Sequence, residues 1–147
     1  MIAVFALIAL MGLAPRAAAG PPLGVQLIVA PQSLSFQKVT AGMPAVAAQP
    51  PLSIQVLAPG QQPWRLTVMA LGPLQSVEGA QIPSQQVSWH GSPAPVFMSG
   101  TLRANRPQLV ARGQGSKAGV LQFILKNRWE FAEGTYSQRL LFTLSSP

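Results

Sequence analysis

The sequence predicts an all-β protein, a single immunoglobulin-like antiparallel β-sandwich that follows an N-terminal signal peptide. From Pro21 onward, Pro and Gly recur every few residues, and no stretch of twelve or more residues shows the 3.6-residue apolar period of a helix. Short runs of alternating apolar and polar residues lie between these turn residues, which is typical of strands. In Ala132–Tyr136, a Gly stands two residues before a Tyr at the start of a strand. This spacing is typical of the tyrosine corner, in which the phenol hydroxyl bonds to upstream backbone.

The first residues form a predicted targeting segment. Ile2–Ala14 is almost purely apolar, and Ala17–Gly20 supplies the small side chains that signal peptidase prefers. The apolar run is shorter than the roughly 20 residues that a membrane-spanning helix needs. We therefore expect a signal peptide over residues 1–19, cleaved after Ala19, and a secreted domain over residues 20–147. An uncleaved N-terminal anchor is the alternative.

The candidate strands after this segment follow one another at short spacing. Leu52–Val56 and Trp64–Leu71 alternate cleanly on either side of Pro59-Gly60, which predicts a hairpin closed by a type II turn. The Ala- and Pro-rich residues 41–51 form a predicted surface loop. The other predicted strands are Val25–Ala30, Leu34–Lys38, Gln86–His90, Val96–Met98, Thr101–Arg103, Gln108–Ala111, Val120–Leu125 and Tyr136–Ser145.

Composition limits how the domain is held together and what it binds. The chain of 147 residues has no cysteine, so a secreted domain of this size depends on its apolar core and not on disulfides. It carries 10 Lys and Arg residues against 3 acidic residues, for a formal net charge of +7. This charge favours anionic partners such as cell-wall polymers or membrane surfaces, and export argues against nucleic acid. The alternative is a solvated surface whose charge maintains solubility.

The residues that carry catalytic chemistry are few and scattered. His90 is the only histidine, and a serine triad needs a histidine with an orienting acid. Paired carboxylates for glycoside hydrolysis would have to be Glu130 and Glu133, which we interpret as partners of nearby arginines. With no Cys, no Asp and one His, a metal site is poorly supplied. We therefore predict a non-enzymatic protein without metal or cofactor. An exported enzyme that depends on His90 or Glu133 is the alternative.

The aromatic residues allow two interpretations. Trp129 and Phe131 flank Glu130 in a predicted turn, where they form either an exposed platform for sugar rings or a plug at the end of the sandwich. Trp64 and Trp89 lie in alternating strands and are predicted to pack in the core.

Two short motifs lie at Trp64–Leu66 and Tyr136–Pro147. The first has the form W-x-L, and the second is similar to the pattern Y-x-x-x-L-T-W-x-L-x-x-x-P. Together they resemble the WxL domain of Firmicute cell-surface proteins, which that family uses to attach non-covalently to peptidoglycan. The sequence departs from the pattern at Leu141, where the family has Thr, at Phe142, where it has Trp, and in a spacing to Pro147 that is one residue short. The resemblance implies wall-binding roles for Trp64, Leu66, Tyr136, Leu140, Phe142 and Leu144. The alternative is a structural role in the core, because the last four share one face of a strand.

We therefore expect a secreted, non-catalytic module of the cell surface that binds peptidoglycan or an anionic wall polymer. Long-range attraction is expected from Arg103, Arg106, Arg112, Lys117, Lys126 and Arg128, and stacking from Trp129 and Phe131. The alternative hypothesis is a structural or assembly subunit of a pilus-like or coat-like polymer. Its partners would be other surface proteins, bound by strand addition at an open sheet edge.

Overall fold

The computed structural model describes residues 3–8, 24–40 and 42–147, which form an all-β structure. Every pairing between its strands is antiparallel, so the predicted all-β antiparallel class is confirmed. A 3-10 turn over Ser84–Gln86 is the one helical element in the described ranges. The strands are β1 Ala3–Ile8, β2 Gln26–Ala30, β3 Leu34–Val39, β4 Ala45–Ala47, β5 Leu52–Leu57, β6 Pro63–Ala70, β7 Leu74–Ser76, β8 Gln81–Ile82, β9 Val87–Ser92, β10 Gly100–Thr101, β11 Gln108–Gln114, β12 Lys117–Lys126, β13 Gly134–Gln138 and β14 Leu140–Ser146.

These strands form three sheets. The first has the order β1-β14-β6-β11, and the second has the order β10-β9-β12-β5-β2, with β4 also paired to β12. The third has the order β3-β13-β7-β8. Buried apolar side chains from all three sheets join in one continuous core, which includes Phe36, Leu66 and Phe123. A single core is what holds together a chain that has no disulfide.

The hairpin predicted around Pro59-Gly60 is wrong. Both strands exist as β5 and β6, and Gly60 has the positive φ, 60°, that the predicted turn requires. However, β5 pairs with β2 and β12, whereas β6 pairs with β11 and β14. The turn therefore carries the chain from one sheet to another. Alternation shows that each strand has one buried face, but it does not show which strand lies beside it.

Three shorter predictions also need correction. The loop predicted over residues 41–51 contains β4, whose Val46 is buried opposite Leu125 of β12. The strand predicted at Val96–Met98 is reduced to an isolated bridge between Phe97 and Ala111. The strand predicted at Thr101–Arg103 is the two-residue β10, one position earlier.

The C-terminal strand predicted over Tyr136–Ser145 is two strands in different sheets. The break falls at Arg139, between β13 and β14, yet the burial alternation continues across it. Tyr136 is fully buried, and its hydroxyl donates a hydrogen bond of 2.6 Å to the carbonyl of Ala132. This bond confirms the predicted link from the phenol to upstream backbone, and it lies just before the chain passes from the third sheet to the first.

Residues 3–8 of the predicted signal peptide form β1, which pairs with β14 from Ala3 opposite Ser146 to Ile8 opposite Leu141. The predicted cleavage position after Ala19 lies outside the described residues, so the signal peptide stays a prediction. In the described part of the chain, the structure has no helix long and apolar enough to cross a membrane.

Candidate functional site

The six residues to which the family resemblance assigns wall binding all lie in the core. Trp64 is 2% exposed, and its indole N–H donates a hydrogen bond of 2.7 Å to the carbonyl of Gly115. The others are buried on the inner faces of β6, β13 and β14, namely Leu66, Tyr136, Leu140, Phe142 and Leu144. These side chains pack in the core, and of the six Trp64 also lines the groove described below. Their burial contributes to the packing that holds these strands together.

The six predicted basic contact residues are all exposed, but they do not form one cluster. Lys117 begins β12 and Lys126 ends it, with Arg128 just beyond. At about 3.3 Å per residue, the two ends of this strand lie roughly 30 Å apart. The structure therefore separates Lys117 from Lys126 and Arg128, and it places Arg103, Arg106 and Arg112 on or before β11.

Arg112 lies directly opposite a second arginine, Arg65, on the neighbouring strand β6. Ser145 of β14 lies opposite Arg65 on its other side, so the three residues form a row across the sheet. Like charges directly opposite each other on paired strands repel and destabilise the pairing. Both arginines are exposed, and among the described residues neither forms an ion pair. They line a groove of about 480 Å³ together with Pro63, Trp64, Leu109, Ser145, Ser146 and Pro147.

A second groove, of about 380 Å³, lies next to the first. Arg103 and Arg106 line it with Trp89, Ser99, Gly100, Thr101, Pro107, Gln108 and Leu109. Its wall is held by the Arg103 amide, which donates a hydrogen bond of 3.1 Å to the Gln108 side-chain oxygen. Leu109 lines both grooves, so they adjoin. We call the four side chains of the two grooves the arginine surface, namely Arg65, Arg103, Arg106 and Arg112.

No carboxylate of the described chain forms an ion pair with the arginine surface. The structure shows an ion pair between Arg128 and Glu130 at 3.6 Å, and both side chains are half exposed. Sequence reasoning missed Arg65, although the alternation of buried Trp64 and Leu66 places it on the outer face. Its position opposite Arg112 depends on the β6–β11 register, which local patterns do not contain.

The two aromatic residues near Glu130 differ in environment. Trp129 is 84% exposed, whereas Phe131 is partly buried and packs against the core. Of the pair, Trp129 is the ring that is open to stacking on a ligand. Trp89 is buried, as predicted, and its indole N–H donates a hydrogen bond of 2.7 Å to the carbonyl of Met98.

His90 is exposed and has a serine as its hydrogen-bond partner. The distance between His90 Nδ1 and Ser99 Oγ is 3.0 Å, and the same Oγ accepts the Gly91 N–H at 3.2 Å. Among the described residues, no carboxylate forms a hydrogen bond or ion pair with His90. Nor do three or more His, Asp or Glu side chains in those ranges gather as a metal site would require. The contacts of His90 help to fix Ser99 at the rim of the second groove.

Comparisons of this chain with protein-family models, with curated proteins and with solved structures found no match. The resemblance to the WxL domain therefore rests on the motif residues alone.

Proposed function

We propose that this chain is a secreted, non-catalytic, immunoglobulin-like β-sandwich module of the cell surface, and that its arginine surface binds an anionic cell-wall polymer. The observation that carries the proposal is the pair of exposed arginines, Arg65 and Arg112, directly opposite each other and without an acidic partner in the described chain. The hydroxyl hydrogen bond of Tyr136 supports the immunoglobulin-like part of the proposal.

The chemistry of the arginine side chain indicates the class of ligand. A guanidinium group presents a planar fork of N–H donors that matches a phosphate or carboxylate in a bidentate manner. An anionic group bound between Arg65 and Arg112 would replace their mutual repulsion by attraction. Arg103 and Arg106, in the adjoining groove, would meet the next anionic groups along the same polymer. A phosphodiester polymer such as a wall teichoic acid has the required repeated charge.

Trp129 would add a contact of a different kind. Its exposed ring offers an aromatic face on which the CH groups of a sugar can stack, and this contact needs no charge. Binding through Trp129 would therefore persist at high salt, whereas binding through the arginine surface would not.

The proposal is tested by retention on purified cell walls that carry teichoic acid and on walls from which it has been removed. We expect retention on the first and loss on the second. We also expect binding to weaken steeply towards 1 M salt, because the Debye length falls to about 3 Å. The double variant R65Q/R112Q should bind at least about tenfold more weakly, a loss of roughly 1.4 kcal/mol.

The matched control is K126Q/R128Q, which removes the same charge at the C-terminal end of β12 and just beyond it. Equal weakening by both double variants would show that net charge, and not the arginine surface, drives binding. Retention that is unchanged by salt and by the removal of teichoic acid would overturn the proposal.

A further inference from the structure

Strand β14 pairs with one strand on each side. One of these strands belongs to the predicted mature domain and the other to the predicted signal peptide. On one side it pairs with β6, from Leu140 opposite Ala70 to Ser145 opposite Arg65. On the other side it pairs with β1, the six residues Ala3–Ile8. In the described residues, β1 is the strand that closes this edge of the first sheet. The edge is therefore completed by residues that belong to the predicted signal peptide.

Strand β11 forms the opposite edge of the same sheet, and the segment 96–98 covers it. The Met98 amide donates to the carbonyl of Val110 at 2.7 Å, and the Arg112 amide donates to the carbonyl of Val96 at 3.3 Å. The register of β11 on β6 also shifts between Leu109 and Ala111. A bulge, a charged residue and a covering segment are common means by which natural edge strands avoid pairing with other chains.

Strand β14 has none of these features. Its sequence, Leu-Leu-Phe-Thr-Leu-Ser-Ser, contains no charged residue, no proline and no glycine. Its register is regular on both sides. The side chains that it turns inward, including Phe142 and Leu144, belong to the core. This composition is typical of a strand inside a sheet and would leave an unprotected edge if β1 were absent.

We propose that β14 is a strand-acceptor site. Once the predicted signal peptide has been removed, an uncharged apolar strand of another polypeptide takes the place of β1, antiparallel to β14. The chemistry of the occupant is inferred from β1. The occupant is an extended segment of about six apolar residues, whose backbone pairs with the free N–H and C=O groups of β14. The inference depends on the signal-peptide prediction and is independent of polymer binding by the arginine surface.

The test starts from the full chain, folded with β1 in place, with a protease site inserted between residues 19 and 24. Cutting this site leaves residues 3–8 held only by non-covalent contacts. A fluorescent peptide with the sequence Ala-Val-Phe-Ala-Leu-Ile and a solubilising lysine tail is then added. We expect the cut segment to exchange for the peptide, with a rise in fluorescence anisotropy and an increase in the thermal midpoint as peptide concentration rises. Amide hydrogen exchange along residues 141–145 should slow when the peptide binds.

The control is the same peptide with alternate backbone nitrogens methylated, which keeps every side chain but removes the donors that pair with β14. If loss of the cut segment unfolds the chain, refolding by the unmodified peptide and not by the methylated one still supports the site. The inference is overturned if both peptides act alike, or if neither binds or restores the fold. Dimerisation of the cut chain through β14 that excludes the peptide would also overturn it, because the occupant would then be a second copy. Retention on cell walls measures the other proposal and does not enter these outcomes.

Discussion

Tyr136 lies in β13, just before the chain passes from the third sheet to the first. Its ring is fully buried, and its hydroxyl is held by the carbonyl of Ala132, four residues upstream. Burial raises the pKa of the Tyr136 hydroxyl, and the negative charge of Glu78 raises it further. The folded chain therefore keeps this proton at a pH at which the unfolded chain has lost it. Linkage then requires that stability falls as the pH rises above about 10, the ordinary tyrosine value.

This dependence can be measured directly, because Tyr136 is the only tyrosine in the chain. We expect the tyrosinate absorbance of the folded protein to reach its midpoint at a higher pH than that of the protein in denaturant. The variant Y136F loses the hydroxyl hydrogen bond, which should lower the free energy of unfolding by about 1 kcal/mol near neutral pH. Between neutral pH and pH values above about 10, the free energy of unfolding should decline less for Y136F than for the unchanged protein. Equal absorbance midpoints in the folded and unfolded chains would contradict the assignment.

At the scale of the element, glycines in the second sheet allow a loop to pack against it. A Cβ atom at Gly119 of β12 would overlap Phe97 Cε2 and lie 2.6 Å from the Ser92 carbonyl oxygen. A Cβ atom at Gly91 of β9 would lie 2.5 Å from the Met98 carbonyl oxygen. The segment 96–98 thus rests on two positions without side chains, and from there it reaches the edge of β11. In this segment the isolated bridge from Phe97 to Ala111 stands where a strand was predicted.

We expect G119A to destabilise the fold by about 1–3 kcal/mol, because the added methyl group displaces the buried Phe97 ring. The matched control is G72A, since a Cβ atom there meets nothing within 4 Å and its φ lies outside the left-handed region. The control should change stability by no more than about 1 kcal/mol. Chemical denaturation of both variants measures the difference. Equal midpoints for the two would mean that Phe97 does not pack on Gly119.

At the scale of the whole molecule, the positive charge has a stability cost as well as a proposed use. With 10 basic and 3 acidic residues, the chain repels itself, and the repulsion is most direct where Arg65 faces Arg112. This arrangement opposes folding and favours an anionic ligand.

The variant R65E tests this conflict between stability and binding. It should raise the free energy of unfolding by about 0.5–1 kcal/mol, since an opposite-charge pair replaces a like-charge pair across β6 and β11. Retention on teichoic-acid-containing walls should fall at the same time. The control K126E makes the same change in net charge opposite Ala45, where no basic residue stands. Stabilisation by K126E that equals that by R65E would assign the effect to net charge alone.

Particular residues show which features of the structure could be predicted from sequence patterns. Alternation correctly identified the buried faces of β5 and β6, and the Gly-x-Tyr spacing correctly predicted the Tyr136 hydroxyl bond, because both signals are local in the chain. The predicted hairpin is wrong because the partners of β5 and β6 are chosen by packing between distant segments. Part of the candidate site was also predictable, since Arg103, Arg106 and Arg112 are exposed as expected, while Arg65 was missed. Trp64 lies in the core, as its alternating strand predicts, and Phe142 is buried as well. The wall-binding roles that the resemblance implies for these two residues stay predictions.

The sequence by itself determined the all-β class, the inward faces of most strands, the lack of disulfides and the excess of positive charge. These properties follow from residue types and from periodicity along the chain. Only the tertiary structure decided that Pro59-Gly60 links two sheets, that Arg65 stands opposite Arg112, and that β14 is completed by residues 3–8. Each of these depends on register between strands that are far apart in sequence. A register is selected by the total packing of both strands and their neighbours, so no local pattern contains it.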